Sequence, residues 1–250
     1  MGVHLAASLA WTDVRGLDAS RTIAILPTGA LEAHGPHLPL ATDVVIAEAM
    51  AREGAVRLAD RGFEVLLLPA MPYAPAPFAA SFAGTMNPPA SAVTTIVAGL
   101  ARSLGGHGIQ TLAIANAHHD PAHVAALRAA ADEAAADSAR IVFPDLTRRR
   151  WASRLTDEFR SGACHAGRYE GAVVMAERPD WVRSDIMARL PPNPRSLSDA
   201  IREGRRTFDE AGGPDAYFGF PAEATADEGR AIVATLGAIL EEAVLETLSP

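Results

Sequence analysis

The sequence predicts an α/β fold: a mainly parallel sheet with helices on both of its faces. Two observations carry that expectation. Short apolar segments alternate along the chain with longer segments of helical period, the pattern of repeated strand–helix units. The boundaries hold residues that stop one element and start the next: glycine after helices, proline at helix starts, and the capping box Thr225-Ala226-Asp227-Glu228 before the last helix. In sheets of this kind ligands bind beyond the carboxyl ends of the strands. There the sequence concentrates histidine and carboxylate.

Residues 1–21 read as a lead-in segment packed on the body. Thr22–Pro27 is an apolar strand bounded by Pro27 and Gly29. It feeds the loop from Leu31 to Asp43, and the following helix, Val44 to Asp60, has Val45, Ala49 and Val56 at helical spacing and stops near Gly62. Phe63–Pro69 is the second strand. Residues 70–89 are rich in proline and alanine; a loop of that length with so many apolar residues is expected to be structured and to lie over the site. Pro88-Pro89 opens a helix to about Leu104, which Gly105-Gly106 stops. Gln110–Asn116 is the third strand, followed by an alanine-rich helix from Pro121 to about Asp137, and Arg140–Phe143 is the fourth. Thr147–Arg160 reads as one helix whose Arg148-Arg149-Arg150 run is a solvated face. Residues 161–172 read as a polar loop, and 190–222 as irregular apart from a helix near Ser198–Glu210. The capping box then opens a helix to about Leu248. No repeat or linker stands out, so residues 1–250 are expected to form one domain.

Composition narrows the function. The net charge of -8 argues against a nucleic-acid partner. All 22 basic residues are arginine, which excludes a Schiff-base lysine, a P-loop lysine and a kinase-type lysine. The one cysteine, Cys164, makes no intrachain disulfide and supplies no thiolate cluster. Leu5–Trp11 is apolar but lacks the basic flank of a signal peptide, and no apolar stretch reaches membrane-spanning length. A soluble, cytoplasmic protein without a membrane partner is the expectation.

The chemistry is carried by three loops that hold His34, His37, His118, His119 and His165, five of the eight histidines. In extended chain, side chains at i and i+2 point the same way. Glu32 and His34 therefore face one site, and Asp43 enters from the start of the next helix. His118 and Asp120 repeat the spacing, with His119 turned away. Carboxylate plus imidazole suits Zn, Mn or Fe rather than Ca or Mg. Glu32, His34, Asp43, His118 and Asp120 exceed the three protein ligands of one catalytic zinc. They suit two divalent metal ions sharing Asp43; such a pair, about 3.5–4 Å apart, holds a hydroxide and polarises a carbonyl. His165 and Glu170, on the third loop, are candidates for proton transfer.

The motifs resemble those of the creatininase (creatinine amidohydrolase-like) family. Leu31-Glu32-Ala33-His34-Gly35-Pro36-His37-Leu38-Pro39, ending in Thr42-Asp43, is similar to the family signature. Phe82-Ala83-Gly84-Thr85, Asn116-Ala117-His118-His119-Asp120, His165-Ala166-Gly167 with Glu170, and Gly219-Phe220-Pro221 through Ala224-Thr225 to Gly229 resemble further family segments in the right order. The resemblance implies a three-layer α/β/α fold and a metal-dependent hydrolase acting on an amide-type C–N bond of a small-molecule substrate, cyclic or linear. It implies one ion on Glu32, Asp43 and His118, another on His34, Asp43 and Asp120, and a homo-oligomer, often a hexamer.

The sequence also departs from the family pattern. The slot usually filled by Glu is Asp120, and the Thr-Ser that follows the last Glu is Gly171-Ala172. The tryptophans that surround creatinine in creatininase have no counterpart at Ser161 or residues 144–145, so creatinine is not the expected substrate. Two alternatives stand beside a small amide: a peptidase like the branch that trims the mycofactocin precursor, and a metal-binding member without turnover. The Asn-Gly-His-Gly-Gly-Asn of that peptidase branch is absent.

Overall fold

The computed structural model describes residues 2–136 and 140–248, and the expected helix end at Asp137 lies outside them. In chain order the strands are β1 (Val3–Leu5), β2 (Thr22–Thr28), β3 (Glu64–Leu67), β4 (Thr111–Asn116) and β5 (Arg140–Val142). The helices are α1 (Trp11–Arg15), α2 (Thr42–Asp60), α3 (Ala90–Gly106), α4 (Pro121–Ala136), α5 (Arg149–Ala152), α6 (Asp157–Ser161), α7 (Arg168–Glu177), α8 (Ser184–Met187), α9 (Leu197–Arg202), α10 (Phe208–Ala211) and α11 (Ala226–Leu248). The strands form one parallel sheet in the order β1-β3-β2-β4-β5. The expected α/β architecture, three layers around a parallel sheet, is the one observed.

Strand periodicity divides the core in two. Ile23 and Ile25 of β2 point to a layer built from α2, α7 and α11, whereas Ala24 and Leu26 point to a layer built from α3 and α4. Both faces are covered, so every residue of β2 and β4 is buried, as parallel strands require. In the first layer α11 lies against α2 and α7, and glycine sets how close it comes. A Cβ on Gly54 would stand 2.7 Å from Leu240 Cδ2, and one on Gly229 would overlap the Ala172 carbonyl oxygen of α7.

Four sequence expectations change. The lead-in contributes a strand: β1 pairs with β3 at the sheet edge. The expected helix Thr147–Arg160 is two short helices, α5 and α6. Trp151 and Leu155 both turn into the core, and Thr156 caps a fresh start by accepting the Phe159 N–H at 3.3 Å. The expected helix near Ser198–Glu210 is also two, α9 and α10, parted by Gly204 at φ +84° and restarted by the Thr207 cap. The expected loop 161–172 becomes helical at Arg168. Its first N–H groups are satisfied by a carboxylate on α6 rather than by a neighbour in sequence. Residues 70–89 are irregular but tied down as expected: Thr85 Oγ1 accepts the Ala33 N–H at 3.1 Å, and the Met86 N–H reaches the Leu31 carbonyl at 2.8 Å.

Because the α7–α11 contact is closed by backbone, Gly229→Ala is expected to destabilise the fold by about 1–3 kcal/mol, the range for an overpacked contact. Denaturant unfolding checks it; an unchanged midpoint would mean that α11 can move off α7 freely.

Candidate metal centre

The site is assembled where β2 and β4, neighbours in the middle of the sheet, release their chains at the same end. Asn116, the last residue of β4, fastens the two ends together. Its Oδ1 accepts the Thr28 hydroxyl at 3.0 Å, the His118 N–H at 3.2 Å and a proton from His123 Nε2 at 3.0 Å, while Nδ2 donates to the His118 carbonyl at 2.7 Å. After β2 the chain crosses the start of α2 so closely that a Cβ on Gly29 would lie 2.8 Å from the Asp43 backbone. Asp43 itself lies in the first turn of α2, inside the helix rather than at its cap. Its Oδ2 accepts the Ala30 N–H at 3.2 Å. Gly35, at φ +63°, turns the loop back after His34; a Cβ there would lie 2.6 Å from the His37 ring.

Three imidazoles are each held from behind by a backbone carbonyl. His118 Nε2 lies 2.8 Å from the Pro75 oxygen, His34 Nδ1 3.1 Å from the Glu32 oxygen, and His165 Nε2 3.0 Å from the Ala33 oxygen. A carbonyl only accepts, so a proton belongs on each of these nitrogens, and the opposite nitrogen turns its lone pair inward when the ring is neutral. Inward, His118 Nδ1 stands 3.0 Å from Asp43 Oδ2 and 3.2 Å from Glu32 Oε1. His34 Nε2 stands 3.2 Å from Asp43 Oδ1 and 3.5 Å from Glu170 Oε2. His165 Nδ1 is 3.9 Å from Glu32 Oε1, with its ring 4.5 Å from that of His34.

Three groups of potential ligand atoms result, each with its members within 4.8 Å of one another: Glu32–Asp43–His118, His34–Asp43–Glu170 and Glu32–His34–His165. All of these side chains are buried. His34 Nε2 is buried and forms no hydrogen bond of good geometry, and it faces Asp43 and Glu170, a position that a proton fills in the metal-free chain and a cation would take over.

The structure therefore brings together Glu32, His34, Asp43, His118, His165 and Glu170. Asp120 is not in any of these groups. Its Oδ1 accepts the Ala122 N–H at 2.7 Å, the bond of a residue capping α4. Asp120 shares the pocket with His118, as the i, i+2 spacing predicts, but Pro121 opens α4 at the next residue, and the Asp120 carboxylate is engaged there rather than in a ligand group. Glu170, expected beside His165 in proton transfer, instead faces His34. Its Oε2 also accepts the Ala166 N–H at 2.6 Å. The spacing of the sequence gives no sign of this, because the turn of α7 that aims Glu170 is set by side chain–backbone bonds to Glu158 and Ala166 rather than by an extended-chain or helical period.

Crowding governs the protonation of the site. Burial works against a charge on Glu32 and Asp43, but His118 beside the first, and His34 and His118 beside the second, outweigh it and hold both carboxyls below their ordinary range. Burial and the neighbouring Asp43 push Glu170 up to about 8, against the pull of His34. Burial works against protonation of His34, yet Asp43, Glu170 and Glu32 raise it to about 10. Burial, with His34 alongside, lowers His165 to about 4. A pocket of about 500 Å³ opens from these groups. Phe78, Phe159 and Phe208 wall it, and Asp120, His119, Arg128, Arg160 and Arg202 are among its polar lining.

Comparison with known proteins identifies the family. The sequence model of the creatininase family, described as creatinine amidohydrolase, matches residues 7–244. The mycofactocin precursor peptide peptidase of Mycobacterium ulcerans is 32% identical over 216 residues, spanning 85% of this chain and 80% of that one. Among solved structures, a creatininase variant superposes with a TM-score of 0.76 at 22% identity, covering 98% of this chain and 99% of that one. A creatininase variant of Zn-Zn type gives 0.70 at 20% identity, covering 98% of each. With the family pattern matched over most of its length, the chain belongs to the creatininase family.

Proposed function

We propose that this creatininase-family hydrolase cleaves an amide-type C–N bond at a site for two divalent metal ions. The observation that carries the reading is a pair of ligand groups, Glu32–Asp43–His118 and His34–Asp43–Glu170, that share one carboxylate. The imidazole of each is fixed by a backbone carbonyl. Asp43 is the bridge, and Glu170 takes the ligand place that the sequence assigned to Asp120. The mixed oxygen and nitrogen donors fit Zn, Mn or Fe. Two such ions, when bound, polarise a carbonyl and make water acidic. The chain's own residues do the rest. His165 lines the pocket with Nδ1 inward and Nε2–H fixed on Ala33, and it takes and returns a proton at Nδ1. Asp120 caps α4 beside the pocket.

A peptide is the second reading for the substrate. The pocket volume exceeds what a single small ring fills, and its aromatic walls suit a side chain next to the cleaved bond. The relative from Mycobacterium ulcerans is named as a precursor peptide peptidase, which agrees with that reading.

Metal titration with elemental analysis tests the site. The wild-type chain is expected to saturate at about two ions, Asp43→Ala to lose both, and Asp120→Ala to keep both while losing about 1 kcal/mol of stability as a broken cap. Saturation of the wild type at one ion would refute the dinuclear reading, and loss of an ion from the Asp120 variant would return that residue to the ligand set.

The pH dependence has a definite sign. Below about 10 His34 holds a proton in the metal-free chain, and below about 8 so does Glu170. His118 is likewise drawn, against burial, toward its protonated form by Glu32 and Asp43, so metal must displace protons from all three, and binding tightens as pH rises from 6 to 8, by roughly tenfold per unit for each proton displaced. Calorimetry in buffers of different ionisation enthalpy reads the protons directly; a pH-independent affinity would contradict the assignment.

His165→Ala is expected to keep both ions and to lose roughly 10²–10⁴-fold in turnover, the usual worth of a general acid or base. A panel of lactams, formamides and short peptides supplies the assay. Loss of metal with activity would make His165 a ligand, through its grouping with Glu32 and His34.

A further inference from the structure

We infer that Glu158, on α6, is a positioning residue that aims Glu170 and His165 and so sets the hold on the ion at His34, Asp43 and Glu170. The inference rests on the dinuclear reading above. Glu158 is buried and its carboxylate touches no part of the ligand groups. Instead it collects three backbone N–H groups: Oε1 accepts from Arg168 at 3.0 Å and from Phe220 at 2.7 Å, and Oε2 accepts from Tyr169 at 2.6 Å.

Those three donors belong to the two segments that fix the third loop of the site. Arg168 and Tyr169 form the first turn of α7, and Glu170 is the next residue. Phe220 follows the stretch whose Phe218 N–H holds the His165 carbonyl at 2.8 Å. One carboxylate thus joins the start of α7 to the strap that supports His165. A negative charge also suits that helix start, where the N–H dipoles gather.

The local sequence makes room for this contact. A Cβ on Gly167 would lie 2.8 Å from Glu158 Oε1, and Gly219, at φ +79°, is so close that a Cβ would overlap the same oxygen. Both glycines are where a backbone must approach a side-chain oxygen. Burial of a carboxylate is costly unless its acceptors are filled, and here they are filled only while α7 and residues 218–220 keep their places. A shift of the first turn of α7 moves the Glu170 carboxylate, which stands 3.5 Å from His34 Nε2.

The test is a titration of Mn2+ into the full chain, read by electron paramagnetic resonance and elemental analysis. Wild type is compared with Glu158→Gln, Glu170→Gln and Val97→Ala. Glutamine keeps the volume but sets an N–H group where Oε2 accepted from Tyr169. Glu170→Gln marks which ion belongs to the α7 side. Val97, buried on α3 in the opposite layer, supplies a variant destabilised away from the site. Glu158→Gln is expected to weaken the ion that Glu170→Gln also weakens, on the order of 10–100-fold as for other groups that orient a ligand. The Glu32–Asp43–His118 ion is expected to keep its affinity, and Val97→Ala to change neither. If Glu158→Gln does not fold, Glu158→Asp, which keeps the charge and shortens the reach, takes its place.

Equal weakening of both ions in step with lost stability, or no change in either, would overturn the positioning role while leaving the dinuclear reading in place. A wild-type chain that binds no second ion would overturn that reading and this role with it.

Discussion

The structure depends on the need to neutralise carboxylates that it has taken out of water. Glu32, Asp43 and Glu170 are 3%, 1% and 5% exposed and converge on the same few ångströms. Carboxylates so placed repel one another, and little solvent is present to screen them. The surrounding imidazoles respond, with His34 and His118 drawn toward their protonated forms. Cations of higher charge would satisfy the same demand more fully and would release those protons. The proposed metal chemistry would answer this electrostatic demand, and the rest of the fold holds the groups near each other.

That arrangement comes from the sheet and its covering helices. β2 and β4 are paired over six residues, from Ile23↔Thr111 to Thr28↔Asn116, so the loops they release start from a fixed separation. Gly29 lets the chain leaving β2 pass against the start of α2, and this contact delivers Asp43 to the middle of the site. On the far side α11 packs on both α2 and α7. The helices carrying Asp43 and Glu170 are therefore held against one common partner. The orienting partners of His34, His118 and His165 are main-chain carbonyls, which move only with the backbone.

Much of this was legible in the sequence, and the failures have a common cause. β2, β4 and α2 are marked by local apolar pattern and by glycine and proline at their ends. Glu32 and His34 obey the extended-chain rule because the chain there is extended. Asp120 reaches the same pocket as His118 but joins no ligand group, because Pro121 opens α4 at the next residue and the Asp120 carboxylate caps it. The helix expected over Thr147–Arg160 breaks in two because Trp151 and Leu155 are drawn into the core and Thr156 is placed to cap. β1 depends on β3, far away in sequence, while α7 and the aim of Glu170 depend on side chain–backbone bonds with Glu158 and Ala166 that no apolar pattern marks. Local rules single out the candidate residues; the fold decides that Glu170, not Asp120, joins a ligand group.

Glu170 and His165 illustrate how that decision assigns roles. In the metal-free chain Glu170 is pushed up to about 8 and His165 down to about 4, so near neutral pH the carboxyl keeps its proton while the imidazole lacks one. Taken alone, this separation resembles an acid and a base prepared for opposite tasks. A carboxyl that ligates a cation, however, must give its proton up. Glu170 cannot hold an ion and store a proton at once. His165 is under no such conflict: its Nε2–H is occupied by Ala33, its Nδ1 lone pair faces the pocket, and it stays neutral across the physiological range. On the proposed dinuclear reading, loading the site would remove Glu170 from proton transfer and leave His165 as the group placed to perform it.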